Sequence, residues 1–363
     1  MTGISRESVY AALGTINDPH MVTDLVNGKV VKKVHLQGNS VQIELTLGYP
    51  GGSRHAALKE QVGDVVGQLD SVERVEVKIE TAVVAHEAQK GVSAIPGVRN
   101  IIAVASGKGG VGKSTVAVNL ALALSTEGAT VGMLDADIYG PSQPRMLGIS
   151  GRPQSADGKS LEPMTSYHLQ AMSIGFLIDE DTPMIWRGPM VTQALEQLLT
   201  DTRWQNLDYL IVDLPPGTGD IQLTLAQKVP VSGAVIVTTP QDIALLDARK
   251  AFKMFEKVEI PVLGVLENMS THICSNCGHE ETIFGVGGGE RMAAEYGVDY
   301  LGGIPLDARI REDTDVGRPT VVADPDGSIA VNYLAIARNV SGRLASRKRS
   351  YSDVFPSIVV QNN

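Results

Sequence analysis

Ser106-Gly107-Lys108-Gly109-Gly110-Val111-Gly112-Lys113-Ser114-Thr115 fills the phosphate-loop pattern G-x-x-x-x-G-K-[ST] from Gly107 to Ser114, with a second lysine, Lys108, inside it. The flanks suit the pattern. Ile101-Ile102-Ala103-Val104-Ala105 is a short apolar run of β type, and Val116 to Leu124 reads as a buried helix. Glycines at this spacing let the backbone turn tightly enough to aim its N–H groups at phosphate oxygens. The helix that follows adds its positive end. Lys113 is then expected to reach the β- and γ-phosphates of a nucleotide, and the Ser114 hydroxyl to sit on Mg²⁺. A glycine-rich turn with no ligand is the plainer alternative, and the strand–loop–helix setting argues against it.

Outward from the loop, strands alternate with helices. Candidate strands are Ile101–Ala105, Thr130–Leu134, Leu169–Ser173, Tyr209–Val212, Gly233–Thr238 and Val262–Leu266, apolar almost throughout. Such strands suit a parallel sheet covered on both faces, so the fold class is α/β, a doubly wound, mostly parallel sheet of the P-loop NTPase type. Ligands of such sheets bind at the carboxyl ends of the strands. Residues 1–82 read as a separate small α+β domain. It has a helix from Ser5 to Leu13, a turn at Asn17-Asp18-Pro19-His20, strands Val30–Leu36 and Ser40–Leu47, a helix His55–Leu69 and a strand Val72–Ile79. Residues 83–99, with Lys90-Gly91 and Pro96-Gly97, look like a linker; 100–345 form the ATPase domain and 346–363 a flexible tail.

A length of 363 residues suits two domains, and 43% hydrophobic with 20% charged residues suits ordinary globular packing. The net charge of -10 argues against a nucleic-acid partner, and the cluster Arg343, Arg347, Lys348 and Arg349 reads as a solvated helix end. No apolar run reaches a membrane span, Met1 to Glu7 lack a signal-peptide core, and Pro356 interrupts the apolar tail. A cytoplasmic location with no membrane partner is expected.

Two strands run into acidic loops. Asp135-Ala136-Asp137-Ile138-Tyr139-Gly140-Pro141-Ser142 follows the second, and Asp213-Leu214-Pro215-Pro216-Gly217-Thr218-Gly219-Asp220 follows the fourth. A carboxylate at such a strand end is the usual holder of Mg²⁺ through water. Asp213 fits that role, with Gly217 in a loop that senses the γ-phosphate. Asp137 suits the orientation of an attacking water, and Asp135 lies nearer the metal. Each Asp taken singly is as compatible with a helix N-cap. Asn268, after Val262–Leu266, can pair with an adenine edge or stabilise a turn. Ile304-Pro305-Leu306-Asp307 is a candidate wall for the base.

Cys274 and Cys277 are the chain's two cysteines, in Thr271-His272-Ile273-Cys274-Ser275-Asn276-Cys277-Gly278-His279. Two thiolates at this spacing can bind one metal centre, the turn between them lending N–H groups to sulfur. Three solutions are open: four cysteines from two subunits, a zinc site completed by His272 and His279, or a redox disulfide.

Taken together these motifs resemble a known family. Gly107 to Thr115 resembles the deviant phosphate loop of the group containing MinD, ParA and the nitrogenase iron protein. Within it, Asp135 to Ser142, Trp186-Arg187-Gly188-Pro189-Met190, Asp213 to Asp220 and Cys274-Ser275-Asn276-Cys277 are similar to the Mrp (ApbC) iron–sulfur cluster carriers, over roughly residues 95–340. Residues 1–82, with Leu13-Gly14-Thr15-Ile16-Asn17-Asp18-Pro19, resemble the small domain often fused to them. Some stand-alone members carry a cysteine there; this chain has none. The resemblance implies a homodimer that binds ATP and hydrolyses it slowly, as a switch. Lys108 would reach the nucleotide of the partner subunit. A labile [4Fe-4S] cluster would lie between two Cys274/Cys277 pairs, received from an assembly scaffold and passed to apoproteins. A ParA- or MinD-like positioning ATPase, with structural zinc or no metal, is the competing expectation. A metabolic kinase lacks any substrate-binding signature here.

Overall fold

The computed structural model describes residues 4–89, 92–178, 188–274 and 276–349. Trp186 and Arg187, Lys90-Gly91 of the expected linker, Ser275 of the cysteine motif and 350–363 of the expected tail lie outside the described residues.

The small domain opens with α1 (Arg6–Leu13), whose capping box pairs Ser5 with Ser8 and closes the helix N-terminus. Strands β1 (Val31–Gln37) and β2 (Ser40–Leu47) form an antiparallel hairpin. After α2 (His55–Gly67), β3 (Arg74–Thr81) returns parallel to β2. Alternation in β2 sends Val41, Ile43, Leu45 and Leu47 inward, where they meet Leu58, Val62 and Val66 of α2.

The large domain is a nine-stranded sheet. Its centre is β4 (Val98–Ala105), flanked by β8 (Leu207–Asp213) and β9 (Gly233–Thr238), both parallel to it. On one side follow β5 (Val131–Asp135), β7 (Leu169–Ser173) and the antiparallel edge β6 (Met164–Ser166). On the other, β10 (Val262–Ile273) pairs with β12 (Tyr300–Leu306) and, at its far end, with the short antiparallel β11 (Glu280–Glu281). β10 is much longer than the apolar run Val262–Leu266, because its second half leaves the core and carries polar residues that hide it from a hydrophobic scan.

Helix α3 (Lys113–Thr126) is buried from Val116 to Leu124, which explains why it lacks a polar face. Helices α4 (Gln143–Met146), α5 (Gly188–Asp201) and α6 (Asp220–Lys228) come next, and α7 (Asp242–Lys257) covers the sheet beside it. Beyond the short α10 (Thr320–Ala323), α11 (Ser328–Ala345) packs on α3 and β12 and also carries the small domain.

The connecting segment is held along its described length. Asn100 accepts the backbone N–H of His86 at 3.0 Å, and the Gln89 amide bonds Ala226 and Val231. Of the C-terminal residues, Lys348 accepts the Glu87 N–H at 3.2 Å and Arg349 bridges to His86. Contact between the domains centres on Glu127 at the C-terminus of α3. Its carboxylate accepts the Ser53 N–H at 3.0 Å and the Ser53 hydroxyl at 2.7 Å, and it pairs with Arg338 of α11.

Candidate functional site

The phosphate loop is shaped by what lies behind it. Gly110 and Gly112 have φ of 81° and 79°, the left-handed region that favours glycine. A Cβ on Gly107 would stand 2.0 Å from the Asp247 carbonyl carbon, and one on Gly112 would stand 2.2 Å from Asn268 Nδ2. Helix α7 and strand β10 therefore press on the loop from two sides. Asn268 Nδ2 donates to the Val111 carbonyl at 2.9 Å, so the amide expected to read adenine spends a donor on the loop itself. The loop after β8 is tied in as well, the Gly217 N–H donating to the Ser106 carbonyl at 3.0 Å. Lys108 and Thr115 are half-buried on the loop's rim.

The acidic residues meet through sheet register. Asp213 pairs with Asp135 across β8 and β5, which brings both carboxylates to the same end of the sheet. Both are fully buried. Asp213 forms an ion pair with Lys113 through Oδ1 and accepts Gln143 Nε2 through Oδ2 at 2.9 Å. Lys113 also touches the Ser114 hydroxyl at 3.1 Å. Asp135 has a different task. Oδ1 accepts the Asp137 N–H at 3.1 Å, and Oδ2 accepts the N–H groups of Ser142 and Gln143, each at 3.0 Å, and the Ser173 hydroxyl at 3.1 Å. It is the pin on which the 136–143 loop folds. Burial, then the neighbouring Asp213, pushes its carboxyl above the ordinary carboxylate range.

Asp137, set on that pinned loop, is half-buried within electrostatic reach of Lys113 and Asp213. Burial raises its carboxyl; Lys113 opposes the shift and Asp213 adds to it. The arrangement thus brings Lys113, Ser114, Asp135, Asp137 and Asp213 together at the carboxyl ends of β4, β5 and β8. Gln143 was not singled out in the sequence, since a lone glutamine two residues beyond Pro141 carries no recognisable spacing. Buried Glu267 also had no assigned role; it accepts the Gly289 N–H at 2.6 Å and holds the start of α8 (Gly288–Tyr296). Asp307 caps α9 (Ala308–Asp315) through the Arg309 N–H at 2.9 Å and clasps the Arg309 guanidinium.

The cysteines sit where β10 leaves the sheet. The Cys274 N–H donates to the His279 carbonyl at 2.9 Å and the Gly278 N–H to the Cys274 carbonyl at 2.8 Å, closing a tight turn. N–H groups of Cys277 and Asn276 draw the Cys274 thiol below its ordinary range, as a thiolate ligand requires. Cys277 is exposed and Cys274 partly so. His272 Nδ1 meets the Leu306 carbonyl at 3.0 Å. Among the described residues, no three His, Cys, Asp or Glu side chains gather to hold a metal.

Fold and site together define a P-loop nucleotide hydrolase with a deviant phosphate loop and a surface dithiol. Comparison with known proteins is specific. Residues 97–341 match the family described as NUBPL iron-transfer P-loop NTPase, and residues 6–79 match an iron–sulfur cluster assembly protein family. The iron–sulfur cluster carrier protein of Haemophilus influenzae is 50% identical over 345 residues, 95% of this chain and 93% of that one. The Escherichia coli K12 carrier is 48% identical over 97% of this chain and 94% of its own. The mouse iron–sulfur cluster transfer protein NUBPL is 51% identical over 69% of this chain and 80% of its own. Among solved structures, an ADP-bound nucleotide-binding protein of Archaeoglobus fulgidus has a TM-score of 0.55 at 37% identity, covering 64% of this chain and 90% of that one. Pyrococcus furiosus MinD, at 22% identity and a TM-score of 0.51 over 66% of this chain and 98% of its own, shares the fold. The chain belongs to the iron–sulfur cluster carrier family of P-loop ATPases.

Proposed function

We propose that this chain carries a labile [4Fe-4S] cluster between the Cys274/Cys277 pairs of two subunits and passes it to apoproteins. ATP binding and slow hydrolysis serve as its switch. The dithiol turn carries the reading: it offers two thiolates to solvent, and four are needed to hold such a cluster. A second copy supplies the missing pair. Exposed apolar residues surround the path of such a partner, with Ile243 and Leu246 on α7 behind Gly107, and Ile273, Ile283 and Val286 about the cysteine hairpin. Lys108, on the rim, is in this reading the lysine that crosses to the partner's nucleotide.

At the nucleotide, the backbone N–H groups from Gly107 to Thr115 and the amino end of α3 would cradle the phosphates. Lys113 would exchange the Asp213 carboxylate for the β- and γ-phosphate oxygens. The hard oxygen donors of Ser114 and Asp213 suit Mg²⁺, the first directly and the second through water. When bound, the ion neutralises charge developing on the phosphate oxygens. Asp137 would orient the attacking water, and Asp135 would hold the loop that places it. Asn268 and Gly217 brace the loop around the nucleotide. The chemistry suits a cytoplasmic, reducing setting; among the described residues no helix is long and apolar enough to cross a membrane.

Anaerobic reconstitution with iron and sulfide tests the reading. One [4Fe-4S] cluster per two chains is expected, with a dimer by light scattering, and Cys274→Ala or Cys277→Ala should abolish both iron and sulfide uptake. A chain that takes up no iron, or one that binds a single metal ion as a monomer, would overturn it.

A further inference from the structure

Gln143 lies at the first position of a short helix (Gln143–Met146) and is 1% exposed. Its side-chain nitrogen faces two acceptors at once, the Ser114 carbonyl at 3.1 Å and Asp213 Oδ2 at 2.9 Å. This fixes the amide's orientation, because the flipped group would set its oxygen against a carboxylate and a carbonyl. The carbonyl oxygen is therefore the arm left over. Gln143 Oε1 is buried and accepts no hydrogen bond from the described residues, and the hydroxyl of Ser142 beside it is buried and likewise without a protein partner. A buried orphan acceptor is costly, and one that lies beside a phosphate loop and a strand-end carboxylate is placed to be completed by a ligand or its water.

Resting on the nucleotide reading above, we propose that Gln143 is a positioning residue for the magnesium–nucleotide complex. Its nitrogen holds Asp213 and the Ser114 backbone in place, and Oε1 accepts a hydrogen bond from a magnesium-bound water. The backbone N–H of the same residue is held by Asp135 at 3.0 Å. One residue thus joins the phosphate loop, the strand-end carboxylate and the loop bearing Asp137.

Calorimetric titration with ADP, in magnesium and in EDTA, tests this without any turnover. In the wild-type chain magnesium should tighten ADP binding. Gln143→Leu, similar in volume, should weaken ADP about tenfold more in magnesium than in EDTA, in line with loss of one hydrogen bond to a charged centre. Gln143→Asn retains both arms of the amide on a shorter stem and should recover part of the increment. An equal increment in wild type and Gln143→Leu overturns the proposal while leaving the nucleotide reading intact. Equal losses with and without magnesium, in both variants, assign Gln143 a purely structural part and also overturn it. A wild-type chain that binds no ADP overturns the nucleotide reading along with it.

Discussion

At the scale of single residues, the Lys113–Asp213 pair dominates the site. Both groups are buried, at 5% and 0% exposure, so each depends on the other for charge compensation. Lys113→Ala should abolish nucleotide binding and also destabilise the nucleotide-free chain by about 3 kcal/mol, because Asp213 would stay buried without its cation. Adding Asp213→Asn should restore most of that stability and none of the binding. Urea denaturation of the single and double variants measures the first effect, and ADP titration the second. Much of this site was legible in the chain: the loop residues are contiguous, and an apolar strand ending in Asp is a local signal. The roles were less legible. Nothing about Asp135 in sequence says that its oxygens are taken by Asp137, Ser142, Gln143 and Ser173, since those donors arrive from a folded loop and a neighbouring strand.

Among the elements, the phosphate loop is wedged between α7 and β10 with no room for a methyl group at either point of pressure. Gly107→Ala should push the loop away from the Asp247 backbone. Gly112→Ala adds left-handed strain to its clash with Asn268, at a cost of about 1 kcal/mol or more for the strain alone. Both variants are expected to lower ADP affinity and melting temperature together, and a variant that kept wild-type values in both would refute the wedge. A P-loop pattern requires its last glycine for reasons internal to the loop. Here the first and last glycines are also enforced by neighbours far along the chain, Asp247 against Gly107 and Asn268 against Gly112, and only the sheet order brings them there. That same order explains why β10 was read too short: its outer half pairs with β11 and β12 through polar residues that carry no hydrophobic period.

For the molecule as a whole, α11 is shared property of both domains. His20 Nδ1 meets Asn339 Oδ1 at 2.6 Å, and since Asn339 gives its own N–H to the Leu301 carbonyl at 2.9 Å, His20 carries the proton on Nδ1. Burial holds His20 below its ordinary 6.5 against the opposing hydrogen bond with Asn339, with Arg54 and Arg338 adding to the shift and Asp18 opposing it. His86 in the connecting segment is held down by burial too. The unfolded chain takes up these protons near pH 6.5 and the folded chain only below it. Their contribution is therefore complete above about pH 6.5 and is lost as the pH falls through that value. His20→Gln should make the melting temperature less sensitive to acid between about pH 7.5 and pH 5.5, and a variant with the wild-type pH profile would refute the assignment. The docking was invisible in sequence, where Ser53, Glu127 and Arg338 are three polar residues separated by 74 and 211 positions without a shared motif.

One strand has a further consequence for the pairing of the two chemistries. Asn268, which holds the phosphate loop, and Cys274, which begins the dithiol turn, are joined by β10 alone, no more than about 20 Å of extended chain. Nucleotide and cluster would bind at its two ends, and any effect of one binding on the other is a coupling free energy that runs both ways with equal magnitude. If ATP loosens the cluster by some factor, loading the cluster must weaken ATP by the same factor. A filled carrier and an empty one would differ in how tightly each holds its fuel.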